Sequence, residues 1–374
     1  MQSVREHRVL ALAQPGLEHL VQAELTRLGV ASRIVSGVGA SFRGAAATIY
    51  SANLHLRCAS RVLVHLGGFR ATTFGQLVRG AQALGWEEFL APGEEVRLRV
   101  TCRKSRLYHS DAVAERIADA IARRSGATLS QQGALESTQL IVVRLDSDVC
   151  SIAVDSSGAH LHRRGYRQAV TQAPLRETLA AAMLLASGWD ARSPLVDPFC
   201  GSGTIAIEAA LLARSMAPGR QRQFRFMRWP SFDASVWENV LEGALARELP
   251  RSPAPIYASD RNGWAVRAAR ENAERACVAG DVVVARLDVA DLVPPRERGW
   301  LVTNPPYGAR LAAGDAEALR DLLRVVLGRF PGWRLAVLAP AALSRILTGR
   351  WLRPVLSASN GGIPVRMYTG QVPG

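Results

Sequence analysis

The chain has 374 residues, of which 48% are hydrophobic, and its formal net charge at pH 7 is +14. This length predicts two or three domains with real cores. No apolar run approaches the roughly 20 residues that cross a bilayer, and the first residues lack the apolar stretch of a secretory signal. The five cysteines are far apart and form no C-x-x-C pair, which predicts reduced thiols, a cytoplasmic protein and no structural zinc.

Arginine supplies nearly all of the positive charge, and Lys104 is the only lysine. A basic surface attracts polyanions and steers their encounter. An acidic protein partner or an anionic membrane would suit the same charge, but nucleic acid is the favoured partner.

The first part of the chain, residues 1–155, predicts an α+β region. Apolar positions repeat at strand or helix spacing along it. The predicted strands cover 9–12, 41–44, 61–66, 95–101, 140–145 and 149–154, and the predicted helices cover 15–28, 45–58, 74–84 and 111–124.

A basic loop, Arg103-Lys104-Ser105-Arg106-Leu107-Tyr108-His109, lies between the predicted strand 95–101 and the predicted helix 111–124. Fixed cations beside an aromatic ring suit phosphate contacts and stacking on an unpaired base. A solvated loop without a ligand is the alternative, but arginines on the neighbouring strand and helix favour RNA. The predicted RNA contacts in this loop are Arg103, Lys104, Arg106 and Tyr108.

Residues 156–190 predict a linker and a leading helix. The linker contains His160-Leu161-His162-Arg163-Arg164-Gly165-Tyr166-Arg167, which is basic and carries one aromatic residue. Its two histidines lack a third ligand and do not predict a metal site. Pro174 suits the first turn of a helix that runs to Ser187, with Gly188 at its end. Further predicted RNA contacts are Arg163, Arg164, Tyr166 and Arg167.

Residues 195–204, Leu-Val-Asp-Pro-Phe-Cys-Gly-Ser-Gly-Thr, predict a buried strand, a glycine loop and a helix that starts at Thr204. Small residues let a ligand approach the backbone closely. The spacing fits neither the dinucleotide fingerprint nor the phosphate loop. An acid at Asp197 suits the cationic end of a zwitterionic ligand better than a pyrophosphate. A tight turn without a ligand is the alternative, and Cys200 is predicted to be a small turn residue rather than a nucleophile.

Strands and helices alternate along the rest of the chain, which predicts a parallel sheet wrapped by helices. These elements cover 256–260, 262–277, 281–288, 300–307, 315–330 and 334–339, and a hairpin of 352–357 and 365–368 closes around Asn360-Gly361-Gly362. The hairpin predicts an antiparallel edge. Asp260 ends a strand, where a carboxylate can accept both ribose hydroxyls of a nucleoside. Asp288 could accept from an adenine amino group while the Val289 amide faces the ring, although either acid could instead cap a helix.

Strand 301–303 ends in Asn304-Pro305-Pro306-Tyr307-Gly308. Two prolines in a row fix an extended, stiff backbone, which here holds an amide and an aromatic ring at the carboxyl edge of a sheet. Together with the glycine loop, this stretch resembles the S-adenosylmethionine-dependent amino-methyltransferases. In them, D-P-F-C-G-S-G-T is the cofactor loop and N-P-P-Y is the catalytic motif.

The resemblance implies a set of cofactor contacts and a set of catalytic residues. The cofactor contacts are Asp197, Pro198, Phe199, Gly201, Ser202, Gly203, Thr204, Asp260, Asp288, Val289 and Asn304, and the catalytic residues are Asn304, Pro305, Pro306 and Tyr307. The Asn304 side-chain oxygen and the Pro305 carbonyl can accept hydrogen bonds from both hydrogens of an exocyclic base amine. Its nitrogen lone pair then points at the methyl group. Tyr307 can stack on the extruded base.

Nearly the whole chain resembles the THUMP-containing bacterial methyltransferases that act on guanine N2 of large-subunit ribosomal RNA. This implies a Rossmann-like class I methyltransferase domain at 191–374, with a mostly parallel seven-stranded sheet and an antiparallel closing hairpin. Residues 1–155 would form a ferredoxin-like and THUMP RNA-binding region. The implied cofactor is S-adenosyl-L-methionine and the implied partner is 23S ribosomal RNA. Some relatives carry a second methyltransferase domain, and we expect a single methyltransferase domain in this chain.

The N-P-P-Y motif does not choose the substrate, because enzymes that methylate guanine, adenine, cytosine or glutamine amides share it. Guanine N2 of transfer RNA and adenine N6 therefore remain alternatives, and members of this family are often catalogued as adenine-specific DNA methylases. Ala309 stands where relatives commonly carry an acidic residue, which leaves the nucleotide open. A non-catalytic RNA-binding protein is the third alternative, and intact Asn304 and Asp197 speak against it.

Overall fold

The computed structural model describes residues 5–130, 138–168, 175–307, 313–347 and 351–374. The helix-start residue Pro174, together with Gly308 and Ala309 after the N-P-P-Y motif, lies outside these described residues. Within them, the chain forms two sheets. The strands of one sheet precede the linker that begins at residue 156, and the strands of the other follow it in the sequence.

The N-terminal sheet is continuous and mostly antiparallel. Its strands are β1 (His7–Ala13), β2 (Ser32–Val35), β3 (Gly39–Gly44), β4 (Ala59–Arg70), β5 (Glu95–Arg103), β6 (Thr128–Leu129), β7 (Gln139–Asp146) and β8 (Val149–Asp155). They lie in the order β2-β3-β1-β4-β8-β7-β5-β6. The pairs β5–β7 and β5–β6 are parallel. The long strand β4 pairs with both β1 and β8, and so joins the two halves of this region into one sheet.

Four helices pack on this sheet in the described part of the chain: α1 (Glu18–Arg27), α2 (Ala46–His55), α3 (Phe74–Gln82) and α4 (Ser110–Ser125). The amphipathic pattern predicted for α4 is confirmed, since Val113, Ile117 and Ile121 recur at helical spacing and are fully buried. Gly126 ends this helix at a φ of 71°. The short strands β2 and β6 were not predicted from the sequence.

The second sheet has seven strands and confirms the fold implied by the resemblance. They are β9 (Leu195–Asp197), β10 (Ile256–Asp260), β11 (Val282–Arg286), β12 (Trp300–Thr303), β13 (Arg334–Pro340), β14 (Arg353–Asn360) and β15 (Ile363–Gln371). Their order is β11-β10-β9-β12-β13-β15-β14. The first five run parallel, and β15 lies antiparallel between β13 and β14.

The helices of this part are α5 (Glu177–Ser187), α6 (Thr204–Ala213), α7 (Ala234–Leu245), α8 (Gly263–Arg275), α9 (Ala313–Arg329) and α10 (Ser344–Leu347). The Asn262 side chain caps α8 by accepting from the Trp264 amide at 3.0 Å. Gly188 ends α5 at a φ of 79°. Helix α7 was missed from the sequence, although Asp233 caps its first turn.

A buried ionic cluster joins the two halves of the chain. It contains two residues of the linker that were predicted to contact RNA. Arg164 and Tyr166, predicted to contact RNA, are only 3% and 2% exposed. Arg164 Nε lies 3.4 Å from Glu208 Oε1, and the Tyr166 hydroxyl donates to the same oxygen at 3.2 Å. Arg57, from the N-terminal half, lies 3.8 Å from Glu208 Oε2. A buried charge needs a partner, so these side chains serve the core rather than an RNA surface.

Arg167 is also directed inward. Its guanidinium pairs with Glu177 at 3.2 Å and donates to Thr204 Oγ1 at 2.8 Å. The predicted RNA contact at Arg167 is therefore replaced by an intramolecular one, because the side chain links the linker to the first residue of α6. Of the four predicted contacts in the linker, only Arg163 is exposed.

Candidate active site

Four parallel strands bring the predicted site residues to one edge of the second sheet. Asp197 ends β9, Asp260 ends β10, and Asn304 directly follows β12. Asp288 comes two residues after β11. Because β11, β10, β9 and β12 are neighbours in that order, their carboxyl ends meet there. Open α/β sheets bind ligands in this place.

The glycine loop after β9 is held from three sides. Asp260 Oδ2 accepts from the Gly201 amide at 3.0 Å, and the Cys200 amide donates to the Ser259 carbonyl at 2.9 Å. The buried Asn272 of α8 donates to the Ser202 carbonyl at 3.0 Å. These contacts fix the loop before any ligand arrives.

Gly203 needs to be glycine for two reasons. Its φ is +85°, and a Cβ there would lie 3.0 Å from the Ala269 Cβ of α8. The close approach lets α6 start directly behind the loop, with Thr204 as its first residue. Pro198, Ser202 and Thr204 are buried, so they shape the loop from within.

A direct hydrogen bond joins the two motifs. Thr303 Oγ1, one residue before Asn304, donates to Asp197 Oδ1 at 2.7 Å. The Phe199 amide donates to the same oxygen at 3.3 Å. Asp197 Oδ2 is buried, and no described residue hydrogen-bonds to it. Burial raises the pKa of Asp197 to about 7, with a smaller contribution from the nearby Asp260 charge. A cationic group at Oδ2 would satisfy both the orphan oxygen and the charge.

The N-P-P-Y motif presents an acceptor without a partner. Asn304 Oδ1 is buried, and the described residues give it no hydrogen bond. Pro305 is buried while Pro306 is exposed. The Tyr307 hydroxyl is held by Asn360, whose Nδ2 donates to it at 2.9 Å. Asn360 and Thr303 are site residues that sequence reasoning missed, and no local pattern marked either.

Of the two interpretations that the sequence left open, Asp288 shows the capping role, whereas Asp260 holds the glycine loop and leaves the capping of α8 to Asn262. Asp260 Oδ1 accepts from the Asn262 amide at 2.9 Å while its other oxygen holds the glycine loop. Asp288 Oδ1 accepts from the Ala290 amide at 3.0 Å and caps a short 3₁₀ turn, Val289–Asp291. Each carboxylate oxygen has a second lone pair, so capping leaves acceptor capacity for a ligand.

The basic loop is exposed and internally ordered. The side chains of Arg103, Lys104, Arg106 and Tyr108 are all exposed, and Leu107 is buried beneath them. The Arg106 amide donates to Asp148 Oδ1 at 2.8 Å, and the Asp148 amide donates to Ser105 Oγ at 3.0 Å. The β7–β8 turn therefore fixes the loop backbone and leaves the cations free to face solvent.

A second basic feature, which we call the basic cleft, was not predicted. It has a volume of about 970 Å³ and lies between the linker and the segment 222–228. Arg163 and Arg228 are exposed in its wall, and Arg222 is half-buried with its guanidinium on the His160 and Ala159 carbonyls. Arg225 is buried and paired with Glu94. The run R-Q-R-Q-F-R-F-M-R was the available signal in the sequence.

The described residues contain no group of three metal-ligating side chains, and none of their helices is long and apolar enough to cross a membrane. Cys200 is buried, and burial raises its pKa well above the ordinary value, which agrees with a structural turn residue.

Three family models match the sequence in succession. They are an RlmL ferredoxin-like domain over residues 8–63, a THUMP domain over 71–155 and an RMKL-like methyltransferase domain over 164–333. A Synechocystis protein provisionally named an RNA methyltransferase is 34% identical over 357 residues, which cover 93% of this chain and 92% of that protein.

A ribosomal RNA large subunit methyltransferase K/L from Methylococcus capsulatus is 39% identical over 346 residues. These residues cover 88% of this chain but 46% of the relative, so the chain spans about half its length. Among solved structures, SMU.472, provisionally named a methyltransferase and complexed with SAH, superposes with a TM-score of 0.85 at 30% identity. The superposition covers 99% of this chain and 98% of the other.

Proposed function

Since this chain belongs to the THUMP-containing, RlmKL-like methyltransferases, we propose that it methylates the exocyclic N2 amine of a guanine in 23S ribosomal RNA. The chain is an RNA methyltransferase that uses S-adenosylmethionine. What we propose is which RNA, which base and which atom of that base receive the methyl group. The buried Asn304 Oδ1, to which no described residue donates, supports methylation of an amine, and the relatives named as large-subunit ribosomal RNA methyltransferases support the choice of RNA.

The residues at the sheet edge fit the cofactor. Asp197 Oδ2 is a buried acceptor to which no described residue donates, which suits the ammonium of the methionine end. Residues 198–204 would contact the same end through their backbone, Asp260 would accept from the ribose, and Asp288 with the Val289 amide would face the adenine. The bound cofactor supplies a methyl group on a sulfonium, which becomes a neutral thioether after transfer.

The chain's own contribution to the chemistry is alignment. Asn304 Oδ1 and the Pro305 carbonyl accept the two amine hydrogens, which localises the nitrogen lone pair toward the methyl group. Tyr307 stacks on the extruded base and fixes its plane, while Pro306 keeps the motif extended. The N–H becomes acidic only as the methyl arrives, so no strong base has to act before transfer.

The two basic surfaces support RNA binding, and we propose that the protein acts in the cytoplasm. The exposed loop of Arg103, Lys104, Arg106 and Tyr108 offers phosphate contacts and a stacking ring. The basic cleft, with Arg163 and Arg228 exposed in its wall, would hold another stretch of the RNA sugar–phosphate backbone. We divide the chain into an RNA-binding region (1–155), a linker with leading helix (156–190) and the methyltransferase domain (191–374), which agrees with the two separate sheets.

Nucleoside mass spectrometry tests the substrate. The protein is incubated with large-subunit RNA, transfer RNA and labelled S-adenosylmethionine, and the RNA is digested. We expect labelled N2-methylguanosine from the large-subunit RNA. Label on transfer RNA would move the substrate to the first alternative, label on adenine would move it to the second, and no label on any RNA would overturn the activity.

Asn304→Ala separates chemistry from binding. It removes the side-chain acceptor and leaves the glycine loop and the basic loop in place, so turnover should fall on the order of a hundredfold to a thousandfold. RNA affinity, measured by filter binding, should stay within a few-fold because the basic surfaces are intact. Near-normal turnover in the variant would remove the N-P-P-Y residues from the reaction.

A further inference from the structure

The turn of the closing hairpin reaches the catalytic edge. Asn360 is the last residue of β14 and is 9% exposed. Its Nδ2 donates to the Tyr307 hydroxyl at 2.9 Å, across 53 residues of sequence. Burial raises the pKa of Tyr307, so the phenol stays protonated at neutral pH. Because its oxygen accepts from Asn360, its own proton points elsewhere.

The N-terminal region contacts the same strand. The Gln14 side chain donates to the Ser359 carbonyl, next to Asn360. Gly16 lies against the Ser357 carbonyl so closely that a Cβ would be 2.0 Å from that oxygen, and its φ is +95°. Glu18 fixes this loop by accepting from the Gly16 amide at 2.8 Å and the Gly37 amide at 2.9 Å. We call residues 14–16 the brace loop.

These contacts form a continuous path from the N-terminal sheet to the N-P-P-Y motif. The brace loop follows β1, it contacts β14 at Ser357 and Ser359, and β14 carries Asn360 to Tyr307. A tyrosine ring that is anchored only at its Cα can rotate about two side-chain torsions. Anchoring its hydroxyl as well fixes the plane of the ring.

We propose that Asn360 is a positioning residue for methyl transfer, and that the brace loop holds the hairpin where Asn360 can orient Tyr307. The proposal rests on the proposed function of Tyr307 as the ring that stacks on the target base. The RNA-binding region then helps to form the target-base site through the brace loop, in addition to contacting RNA.

A double-mutant cycle between Asn360 and Tyr307 tests this. Asn360→Ala should lower single-turnover methyl transfer about threefold to tenfold, the effect of one lost neutral hydrogen bond. The affinity for S-adenosylhomocysteine should not change. Tyr307→Phe removes the acceptor and keeps the ring, so adding Asn360→Ala to it should cost no further rate. Ser359→Ala is the matched control, because only the carbonyl of that residue is used.

Gln14→Ala extends the cycle to the brace loop. It should slow transfer in the same direction and lose its effect in the Tyr307→Phe background. Should Asn360→Ala fail to fold, the Gln14→Ala cycle carries the test alone. Additive losses in the two backgrounds, or Asn360→Ala at the wild-type rate, would overturn the positioning role. A wild-type protein that methylates no RNA would instead overturn the proposed function, so the two failures are distinguishable.

Discussion

Burial decides how the single residues at the sheet edge behave. Asp197 has a pKa of about 7 because it is buried, against an ordinary value of 3.8. Below about pH 7 the protonated form is therefore favoured in the folded protein without cofactor. Its contribution to stability is complete below the ordinary pKa and is lost as the pH rises through about 7. A ligand ammonium at Oδ2 would favour the ionised form instead.

This linkage predicts a pH dependence of cofactor binding. S-adenosylhomocysteine should raise the melting temperature more at pH 8 than at pH 6, because the carboxylate is ionised at the higher pH. Asp197→Asn should bind weakly and lose this difference. Asp288→Asn is the control, and it should weaken binding equally at both pH values, because the Asp260 charge, and not that of Asp288, adds to the raised pKa of Asp197. A pH dependence that survives in Asp197→Asn would assign the effect to another group.

In the basic loop all four predicted RNA contacts are exposed, whereas in the linker only Arg163 is. Replacing Arg103, Lys104 and Arg106 by alanine should weaken binding of a large-subunit RNA transcript. The slope of log K against log salt should flatten by about two units if each cation contacts a phosphate. Filter binding over a salt series measures this slope, and cofactor affinity should stay unchanged.

The matched control removes the same charge from another face. Arg320 and Arg324 on α9 and Arg353 on β14 are exposed. Their triple alanine variant should keep the wild-type slope, since only counterions at the RNA interface are released. Equal slopes in the two triple variants would mean that the loop is an ordinary solvated surface. Arg163→Ala with Arg228→Ala should flatten the slope further if the basic cleft also holds RNA.

Local sequence signals predicted the elements whose cause is local. Asn262 capping α8 and Gly188 ending α5 are examples, because a side chain or a positive φ within the element sets the boundary. Strand β2 was missed since its residues alternate no apolar face and two of its four side chains are exposed. It forms because β3 offers a free edge, which is a property of the sheet.

The position of a predicted residue at the sheet edge could be predicted where one motif contained both the residue and the strand end that carries it. Asp197 and Asn304 follow this rule. The basic run in the linker did not, because Arg164 is buried by Glu208, a partner 44 residues later. Nothing near Arg164 distinguishes it from Arg163, which is exposed. The Asn360–Tyr307 contact escaped prediction for the same reason.

At the scale of the whole molecule, the buried ionic cluster joins the two sheets. Glu208 is fully buried and faces Arg57 from the N-terminal half and Arg164 from the linker. The Arg164 guanidinium also donates to the Arg57 carbonyl at 2.6 Å. Such a cluster is costly to break, because each arginine left behind is a buried charge without its counter-ion.

Glu208→Gln should therefore destabilise the protein by about 3–5 kcal/mol, the range for removing one partner of a buried pair. Urea unfolding followed by circular dichroism measures the change. Asp321→Asn, which breaks the exposed pair with Arg324, is the control and should change stability by less than about 1 kcal/mol. A Glu208→Gln protein as stable as this control would contradict a stabilising role for the cluster.

The single lysine has a practical consequence for labelling. Amine-reactive reagents modify lysine side chains and the α-amino group, and Lys104 is the only lysine in 374 residues. It is exposed in the middle of the basic loop, at a φ of 46°. Reductive methylation with ¹³C-formaldehyde should thus give one side-chain signal in an NMR spectrum without any engineered tag. That signal comes from the surface proposed to touch RNA, so its shift on adding a transcript reports the contact directly.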